Sequence, residues 1–184
     1  MSAFSVVPRP KAVVSFYGYG DITGPWYSQP SPHYRMQPLV SEYEAFSCVG
    51  KTPLSEPGNP ERRQRFYLYL RQQGLWPRHV AGIDPAKHPE AFKPWSPILN
   101  VSADWPPVLL LHGTADTDVP YERSVDMAKA LSSMQAANRL VTIADGEHGF
   151  DRGVTLDEMK RQNGSAPVRA AVDAVEFAVR HLRL

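Results

Sequence analysis

The sequence lacks the residues and segments that several classes of protein need. Cys48 is its one cysteine, so no intrachain disulfide and no cysteine-based zinc site can form within these 184 residues. Pro8, Arg9 and Pro10 interrupt any apolar run near the N-terminus, and no stretch approaches the length of a membrane span. The sequence therefore predicts neither a signal peptide at its start nor a membrane-spanning protein.

An excess of charge of one sign is also missing. Lysine and arginine total 20 and aspartate and glutamate total 19, which gives a formal net charge of +1. Proteins that bind nucleic acids or membrane surfaces usually carry a basic excess, so we expect neither partner. Proline, by contrast, is abundant. The 18 prolines are nearly double the usual share of about 5% and predict many ordered loops.

Three short apolar runs are typical of strands that are buried on both faces of a sheet. They cover residues 11–17, 108–111 and 140–143, and turn residues follow each of them. Apolar residues recur every three or four positions over 122–134 and again over 168–182, which predicts amphipathic helices there. Hydrophobic strands that alternate with helices predict an α/β fold with a parallel sheet covered by helices.

The segment 26–95 has a different character. It contains no strand pattern, but it is rich in proline and in aromatic residues, which a flexible linker would not need. One helix is predicted with Asn59 as its cap, Pro60 at its first position and Gly74 after its end. A second, shorter helix is predicted to start at 84–85. We therefore expect a packed helical insertion.

An aspartate motif follows the second predicted strand directly. It reads His112-Gly-Thr-Ala-Asp116-Thr-Asp118-Val-Pro120. Loops at the carboxyl ends of parallel strands are where α/β sheets build functional sites, so an aspartate here can orient a histidine. The simpler alternative is that Asp116 or Asp118 caps the helix that begins near Tyr121, since aspartate is common at such positions.

A histidine motif follows the third predicted strand in the same way. It reads Gly146-Glu-His148-Gly-Phe150. One helix and one strand separate Asp116 from His148, so parallel neighbouring strands would bring the two side chains together. Aspartate and then histidine on successive strand ends is the second half of the Ser, Asp, His order of α/β-hydrolases.

Taken together, these motifs resemble the C-terminal half of an α/β-hydrolase of the prolyl-oligopeptidase/esterase type. The first strand (residues 10–18) and the insertion resemble that family too, so the likeness covers essentially the whole chain. It implies a partial α/β-hydrolase fold of three parallel strands with flanking helices, and a lid formed by residues 26–95. It also implies that Asp116 is the acid of a catalytic triad and His148 its general base. Asp116 is favoured over Asp118 because the family aspartate lies four residues before the motif proline.

One part of the family pattern is missing from these 184 residues. The nucleophile of this fold lies in a Gly-x-Ser-x-Gly turn, and no such sequence occurs here. Ser2 and Ser5 lack the flanking glycines, and Ser165 follows the histidine. Family order would place further strands upstream, so we expect a fragment that forms no acyl-enzyme by itself. Its first strand would then present an open edge and favour poor solubility, dimerisation, or pairing with a complementing N-terminal half.

Three aromatic residues near the end of the first strand are candidates for a substrate pocket, namely Tyr17, Tyr19 and Trp26. Glycines 18, 20 and 24 surround them and resemble a dinucleotide-binding loop, but the third glycine comes one position too late for G-x-G-x-x-G. We interpret these glycines as residues that shape the loop.

No cofactor is implied, either metal or organic. A divalent ion held by Asp116, Asp118, His148 and Asp151 is a weak alternative, because such sites favour more convergent carboxylates. His112 is expected to have a structural role at the end of its strand.

The resemblance implies a serine-type hydrolase of carboxylic esters, or of peptides. The alternative from another class is a catalytically inert hydrolase-like module that binds a partner or a ligand. A third alternative is a doubly wound binding protein in which Asp116 and His148 lie too far apart to interact. A cytoplasmic location is favoured, although an export signal could precede residue 1.

Overall fold

The computed structural model of the chain describes residues 2–50, 60–161 and 164–182. The strands are β1 (Val13–Phe16), β2 (Val108–Gly113) and β3 (Asn138–Ile143). The α-helices are α1 (Ser2–Ser5), α2 (Pro25–Ser28), α3 (Pro32–Arg35), α4 (Glu42–Phe46), α5 (Pro60–Gln73), α6 (Trp76–Ala81), α7 (Glu122–Ser133), α8 (Leu156–Lys160) and α9 (Ala166–Leu182). Short 3₁₀ helices cover Pro89–Trp95 and Pro97–Asn100.

The three strands form one parallel sheet in the order β1-β2-β3, as predicted. Val13 pairs with Val108 and Val108 with Asn138, so all three strands run side by side from the same level. The carboxyl ends of the strands therefore lie at one edge of the sheet, and the segments that follow them emerge next to one another.

Every residue of the central strand β2 is buried, because both of its faces are covered. Val108 and Leu110 point to one face and pack in a core with Met127 and Leu131 of α7. On the opposite face, alternate residues of β2 pack against α9, in a core that contains Leu109, Leu111, Ile143, Ala170 and Ala174. This period of two explains why β2 is a continuous apolar run, and it confirms a sheet with helices on both faces.

The chain divides into two compact units. The first comprises residues 1–21 and 93–184 and holds the sheet, and the second comprises residues 22–92. The second unit is helical and has an aromatic interior, where the guanidinium of Arg71 lies 4.4 Å from the ring centre of Tyr27. Its longest helix, α5, begins at Pro60 and is followed by Gly74 at φ +70°, a conformation that suits glycine. Asn59, the predicted cap, lies outside the described residues.

The prediction that a second helix of this unit starts at residues 84–85 is wrong. Residues 84–85 open a single turn, in which the backbone N–H of His88 donates to the carbonyl of Asp84 at 3.0 Å. The chain then enters the 3₁₀ helix Pro89–Trp95. Prolines 89 and 94 have no N–H to donate, so a regular α-helix could not continue through this stretch. Within the described ranges, no helix combines the length and apolarity that a membrane crossing requires.

Candidate functional site

The loops that follow β2 and β3 meet at two glycines. Gly113 ends β2 and Gly146 follows β3, and a Cβ atom on Gly113 would overlap the carbonyl group of Gly146. The N–H of Ala115 donates to the Gly146 carbonyl at 3.0 Å, and the N–H of Asp145 donates to Thr114 Oγ1 at 2.9 Å. The lack of a side chain on Gly113 thus allows two loops to approach closely, and these loops carry the two motifs.

The carboxylate of Asp116 is fully buried and is fixed by its own loop. Its Oδ1 atom accepts hydrogen bonds from the backbone N–H groups of Asp118 and Val119, both at 2.8 Å. Helix α7 begins only at Glu122, and its N-cap residue Tyr121 makes no side-chain capping bond. The alternative that Asp116 caps this helix is therefore wrong, because its Oδ1 atom bonds to residues that precede the helix. The backbone donors occupy Oδ1 and leave Oδ2 to face the next loop.

Asp116 and His148 are in direct contact. The Nδ1 atom of His148 lies 3.0 Å from Oδ2 of Asp116, so the alternative that the two are too far apart to interact is wrong. The other ring nitrogen of His148, Nε2, lies 3.6 Å from Oδ2 of Asp118. The His148 side chain is 24% exposed, whereas Asp116 is buried behind it. An ionised carboxylate only accepts hydrogen bonds, so Nδ1 carries a hydrogen and the proton-exchanging nitrogen is Nε2.

The surroundings of Asp116 favour its ionised form. Burial raises the pKa of this carboxyl, but hydrogen bonds from His112, Val119, His148 and Asp118 outweigh burial and hold the pKa below its ordinary value of 3.8. Asp116 is therefore a buried anion at neutral pH, next to a histidine ring that can accept a proton.

Tyr17, which follows β1 directly, covers one face of the histidine ring. Its ring centre lies 4.3 Å from that of His148, and its hydroxyl donates to Oδ1 of Asp151 at 2.9 Å. Burial and the Asp151 carboxylate raise the pKa of Tyr17 to about 12. The Tyr17 backbone has φ 38°, in the left-handed region that a tyrosine seldom adopts, and this conformation turns the ring toward the site.

Two further residues of the site were not singled out for function from the sequence. His112 is fully buried at the end of β2, and its Nε2 atom lies 3.3 Å from Oδ2 of Asp116. Ser124, on α7, lies 2.7 Å from the other ring nitrogen of His112. The sequence feature that could have identified His112 is its position four residues before Asp116. No pattern in the sequence marks Ser124, because its role depends on how α7 packs.

The remaining candidates for a substrate pocket lie in different units. Tyr19 is 37% exposed and lines a cleft of about 220 Å³ beside β1, together with Ser15 and Trp105. Trp26 belongs to the second unit, in α2. Substrate contacts of Tyr17, Tyr19 and Trp26 stay predictions, and so does the role of residues 26–95 as a lid.

Metal-ligating side chains do not cluster in the part of the chain that the structure describes, where no group of three or more could hold an ion. Asp116 uses both carboxylate oxygens on hydrogen-bond donors, and Asp151 accepts from Tyr17. These carboxylate oxygens are thus engaged by hydrogen-bond donors of the chain itself.

Comparison with known proteins points to one family. The sequence profile of the prolyl oligopeptidase family matches residues 65–180, which include both motifs. Esterase LipC of Mycobacterium tuberculosis is 35% identical over 105 residues, and the match covers 55% of this chain and 24% of LipC. The non-reducing polyketide synthase ausA of Emericella nidulans is 24% identical over 213 residues, which cover 97% of this chain and 8% of the synthase.

A solved structure has a similar fold. A protein of unknown function from Staphylococcus aureus superposes with a TM-score of 0.66 at 22% identity, over 92% of this chain and 56% of the other. The chain thus spans about a quarter of LipC and about half of the staphylococcal protein.

Proposed function

Because this chain belongs to the prolyl oligopeptidase family, we propose that it provides the acid and the base of a serine-type hydrolase of carboxylic esters. The observation that carries the proposal is the 3.0 Å contact between Nδ1 of His148 and Oδ2 of Asp116 at adjacent strand ends. The similarity to Esterase LipC favours an ester over a peptide bond as the substrate.

The roles of the two residues follow from the proton positions. Asp116 accepts the Nδ1 hydrogen of His148, so the Nε2 lone pair is available to remove a proton from a serine hydroxyl. The serine oxygen then forms a bond to the ester carbonyl carbon, and the imidazolium returns its proton to the departing alkoxide. In the second half, His148 removes a proton from water, and the water oxygen forms a bond to the acyl carbon. The bond between that carbon and the serine oxygen then breaks, and the imidazolium returns its proton to the serine oxygen as the acid departs. Asp116 stabilises the imidazolium in both halves.

The serine must come from outside these 184 residues. The sequence holds the acid and the base but no Gly-x-Ser-x-Gly segment. We therefore propose that a second polypeptide segment, or a longer form of the protein, supplies the nucleophile, and that the chain by itself does not turn over esters.

Strand β1 offers the place for that segment. It pairs with β2 on one side, and within the described sheet its other side is open. The ring of Tyr17, directly after β1, contacts that of His148 at a centroid distance of 4.3 Å and an interplanar angle of 56°. Neighbouring strands lie about 4.8 Å apart, so a parallel strand paired with β1 would end beside Tyr17, whose ring contacts that of His148. The proposed occupant is a strand that carries a serine at its carboxyl end.

The test compares the chain alone with a longer form that includes in-frame upstream sequence. We expect hydrolysis of p-nitrophenyl esters and labelling by a fluorophosphonate in the longer form, and neither in the 184-residue chain. His148→Gln should abolish both signals in the longer form, while His88→Gln, at an exposed position, should leave them unchanged. Burst acylation of the 184-residue chain itself would refute the proposal that the nucleophile comes from elsewhere.

The missing nucleophile also favours a second candidate, an inert module that binds a partner or ligand. A longer form that neither reacts with fluorophosphonate nor hydrolyses esters would support this candidate. In an active longer form, p-nitroanilides tested beside the esters would separate peptide from ester hydrolysis.

A further inference from the structure

A second imidazole contacts the carboxylate of Asp116 from the side opposite the candidate active site. The His112 side chain is fully buried, and its Nε2 atom lies 2.9 Å from the carbonyl oxygen of Val119 and 3.3 Å from Oδ2 of Asp116. Its Nδ1 atom lies 2.7 Å from the hydroxyl of Ser124. The ring edge also meets the ring of Tyr121, at a centroid distance of 5.8 Å.

These contacts determine which nitrogen of His112 carries hydrogen. Both neighbours of Nε2, a carbonyl oxygen and an ionised carboxylate oxygen, are acceptors, so Nε2 must be the donor. At Nδ1 the neighbour is a hydroxyl, which can donate to the neutral ring. Ser124 therefore stabilises the tautomer that points an N–H at Val119 and Asp116.

We propose that His112 is a positioning residue for the Asp116–His148 pair. The carboxylate accepts two backbone N–H groups on Oδ1 and the Nδ1–H of His148 on Oδ2. The Nε2–H of His112 bonds to the Val119 carbonyl and also faces Oδ2 at 3.3 Å, so it is shared between the two oxygens. Together with the backbone donors, this shared N–H restrains rotation of the carboxylate about its Cβ–Cγ bond and keeps one Oδ2 lone pair directed at Nδ1 of His148. The catalytic consequence rests on the proposed function, but the geometric effect does not.

A space-filling role makes a different prediction for the same residue. Phenylalanine has a planar aromatic ring that is somewhat larger than that of histidine and would also fill a buried site, whereas it donates no hydrogen bond. A buried imidazole is costly to desolvate unless its nitrogens are bonded. Since both nitrogens of His112 have polar neighbours, His112→Phe separates the hydrogen bond from the packing.

The experiment follows the Nδ1–H proton of His148 by NMR in the 184-residue chain with ¹⁵N-labelled histidine. We expect a slowly exchanging resonance in the wild type. In His112→Phe its exchange with water should speed up about tenfold or the resonance should be lost, because the carboxylate has lost one of its donors. His112→Gln can place an amide N–H near the same acceptors and should restore the signal. His88→Gln is the control for labelling and exposure.

Two additional measurements make the outcome decisive. The Asp116 carboxyl signal should titrate at higher pH in His112→Phe than in the wild type, because His112 is one of the donors that lower the pKa of Asp116. If His112→Phe does not fold, Ser124→Ala provides the test, with Ser124→Thr as the variant that keeps the hydroxyl. Faster exchange in Ser124→Ala but not in Ser124→Thr would support the proposal.

An unchanged His148 proton and an unchanged Asp116 titration in folded His112→Phe would overturn the proposal and leave His112 a packing residue. If Ser124→Ala is used in place of His112→Phe, unchanged signals in Ser124→Ala would likewise overturn the proposal. Because the readout is a resonance of the isolated chain, these results do not depend on whether the longer form hydrolyses esters.

Discussion

At the scale of single residues, the candidate site is a carboxylate surrounded by donors. Asp116 receives backbone N–H groups on one oxygen and the Nδ1–H of His148 on the other, which the Nε2 atom of His112 also faces at 3.3 Å. Such a carboxylate is a stable anion, and a stable anion is what an imidazolium next to it requires. The proposed role of His148 as a base therefore depends on Asp116 and on the donors that surround it.

The substitution Asp116→Asn tests this arrangement. The amide can still accept from the backbone through one oxygen, but its NH₂ group would face the N–H groups of His148 and His112. Leaving these buried donors unsatisfied should cost about 1–3 kcal/mol of the free energy of unfolding. Urea denaturation at pH 7 measures this cost. Asp118→Asn is the matched control, since its carboxylate is 15% exposed and lies 3.6 Å from His148. An equal loss in both variants would contradict the prediction.

Acid pH should remove the stability that the ionised carboxylate of Asp116 contributes. The pKa of Asp116 is lower in the folded chain than its ordinary value of 3.8, so the ionised carboxylate stabilises the fold above pH 3.8. That stability is lost as the pH falls through the folded pKa. The difference in unfolding free energy between wild type and Asp116→Asn should therefore narrow below pH 3.8. A difference that stays constant down to pH 2 would argue against a lowered pKa.

Tyr17 provides a prediction about the stability of the fold at alkaline pH. Its pKa is raised to about 12 from 10.0, so the protonated phenol and its bond to Asp151 contribute stability below pH 10, and the contribution is lost as the pH rises toward 12. Tyr17→Phe keeps the ring against His148 and removes only the hydroxyl. Its deficit in unfolding free energy relative to wild type should be present at pH 8 and should shrink above pH 10. Ultraviolet difference titration should show one more tyrosinate forming near pH 12 in the wild type than in Tyr17→Phe.

At the scale of elements, the strand ends position these residues. Each of the three strands is followed by one member of the site: Tyr17 after β1, Asp116 after β2 and His148 after β3. Their meeting requires the loops after β2 and β3 to approach more closely than side chains would allow, and Gly113 and Gly146 are the residues that permit it.

The substitution Gly113→Ala tests the role of this contact. The added methyl group would overlap the backbone of Gly146, so the two loops must separate. We expect a loss of about 1–3 kcal/mol in the free energy of unfolding, and displaced NMR signals for both Asp116 and His148. Gly153→Ala is the control, because a Cβ atom there would meet no other atom within 4 Å. Equal stability of the two variants would show that the loops tolerate separation.

At the scale of the whole molecule, the main feature is the side of β1 that pairs with no other strand among the described residues. The N–H of Val13 donates to Pro107 and that of Tyr17 to Leu111, both on the β2 side. Alternate residues of a parallel strand bond to the same neighbour, so the N–H groups of Val14 and Phe16 point to the open side. An edge of this kind pairs readily with another strand.

We expect the isolated chain to self-associate through this edge. Val14→Pro removes an N–H group that points away from β2, and it should shift the chain toward the monomer in light scattering at a given concentration. Val14→Ala trims the side chain to a similar extent but keeps the N–H group, so it should associate like the wild type. A wild-type chain that is a stable monomer at high concentration would contradict this expectation.

Much of the architecture could be predicted from the sequence, since it depends on local patterns. Continuous apolar runs marked β1, β2 and β3, periodicity marked α7 and α9, and proline and glycine marked the two ends of α5. The turn at 84–85 was missed because a helix start and an isolated turn share the same first residues. The prolines further along the chain decide between a helix and an isolated turn, because they prevent a regular α-helix from continuing.

The amino-acid sequence by itself determined that an aspartate and a histidine follow two successive strands, because the positions of strands and motifs along the chain are properties of the sequence. Only the tertiary structure decided which nitrogen of His148 faces Asp116, that His112 and Ser124 support the carboxylate from behind, and that Tyr17 covers the ring. Those contacts depend on the direction in which each side chain leaves its backbone and on the packing of α7 against β2. Both are set by atoms far apart in sequence.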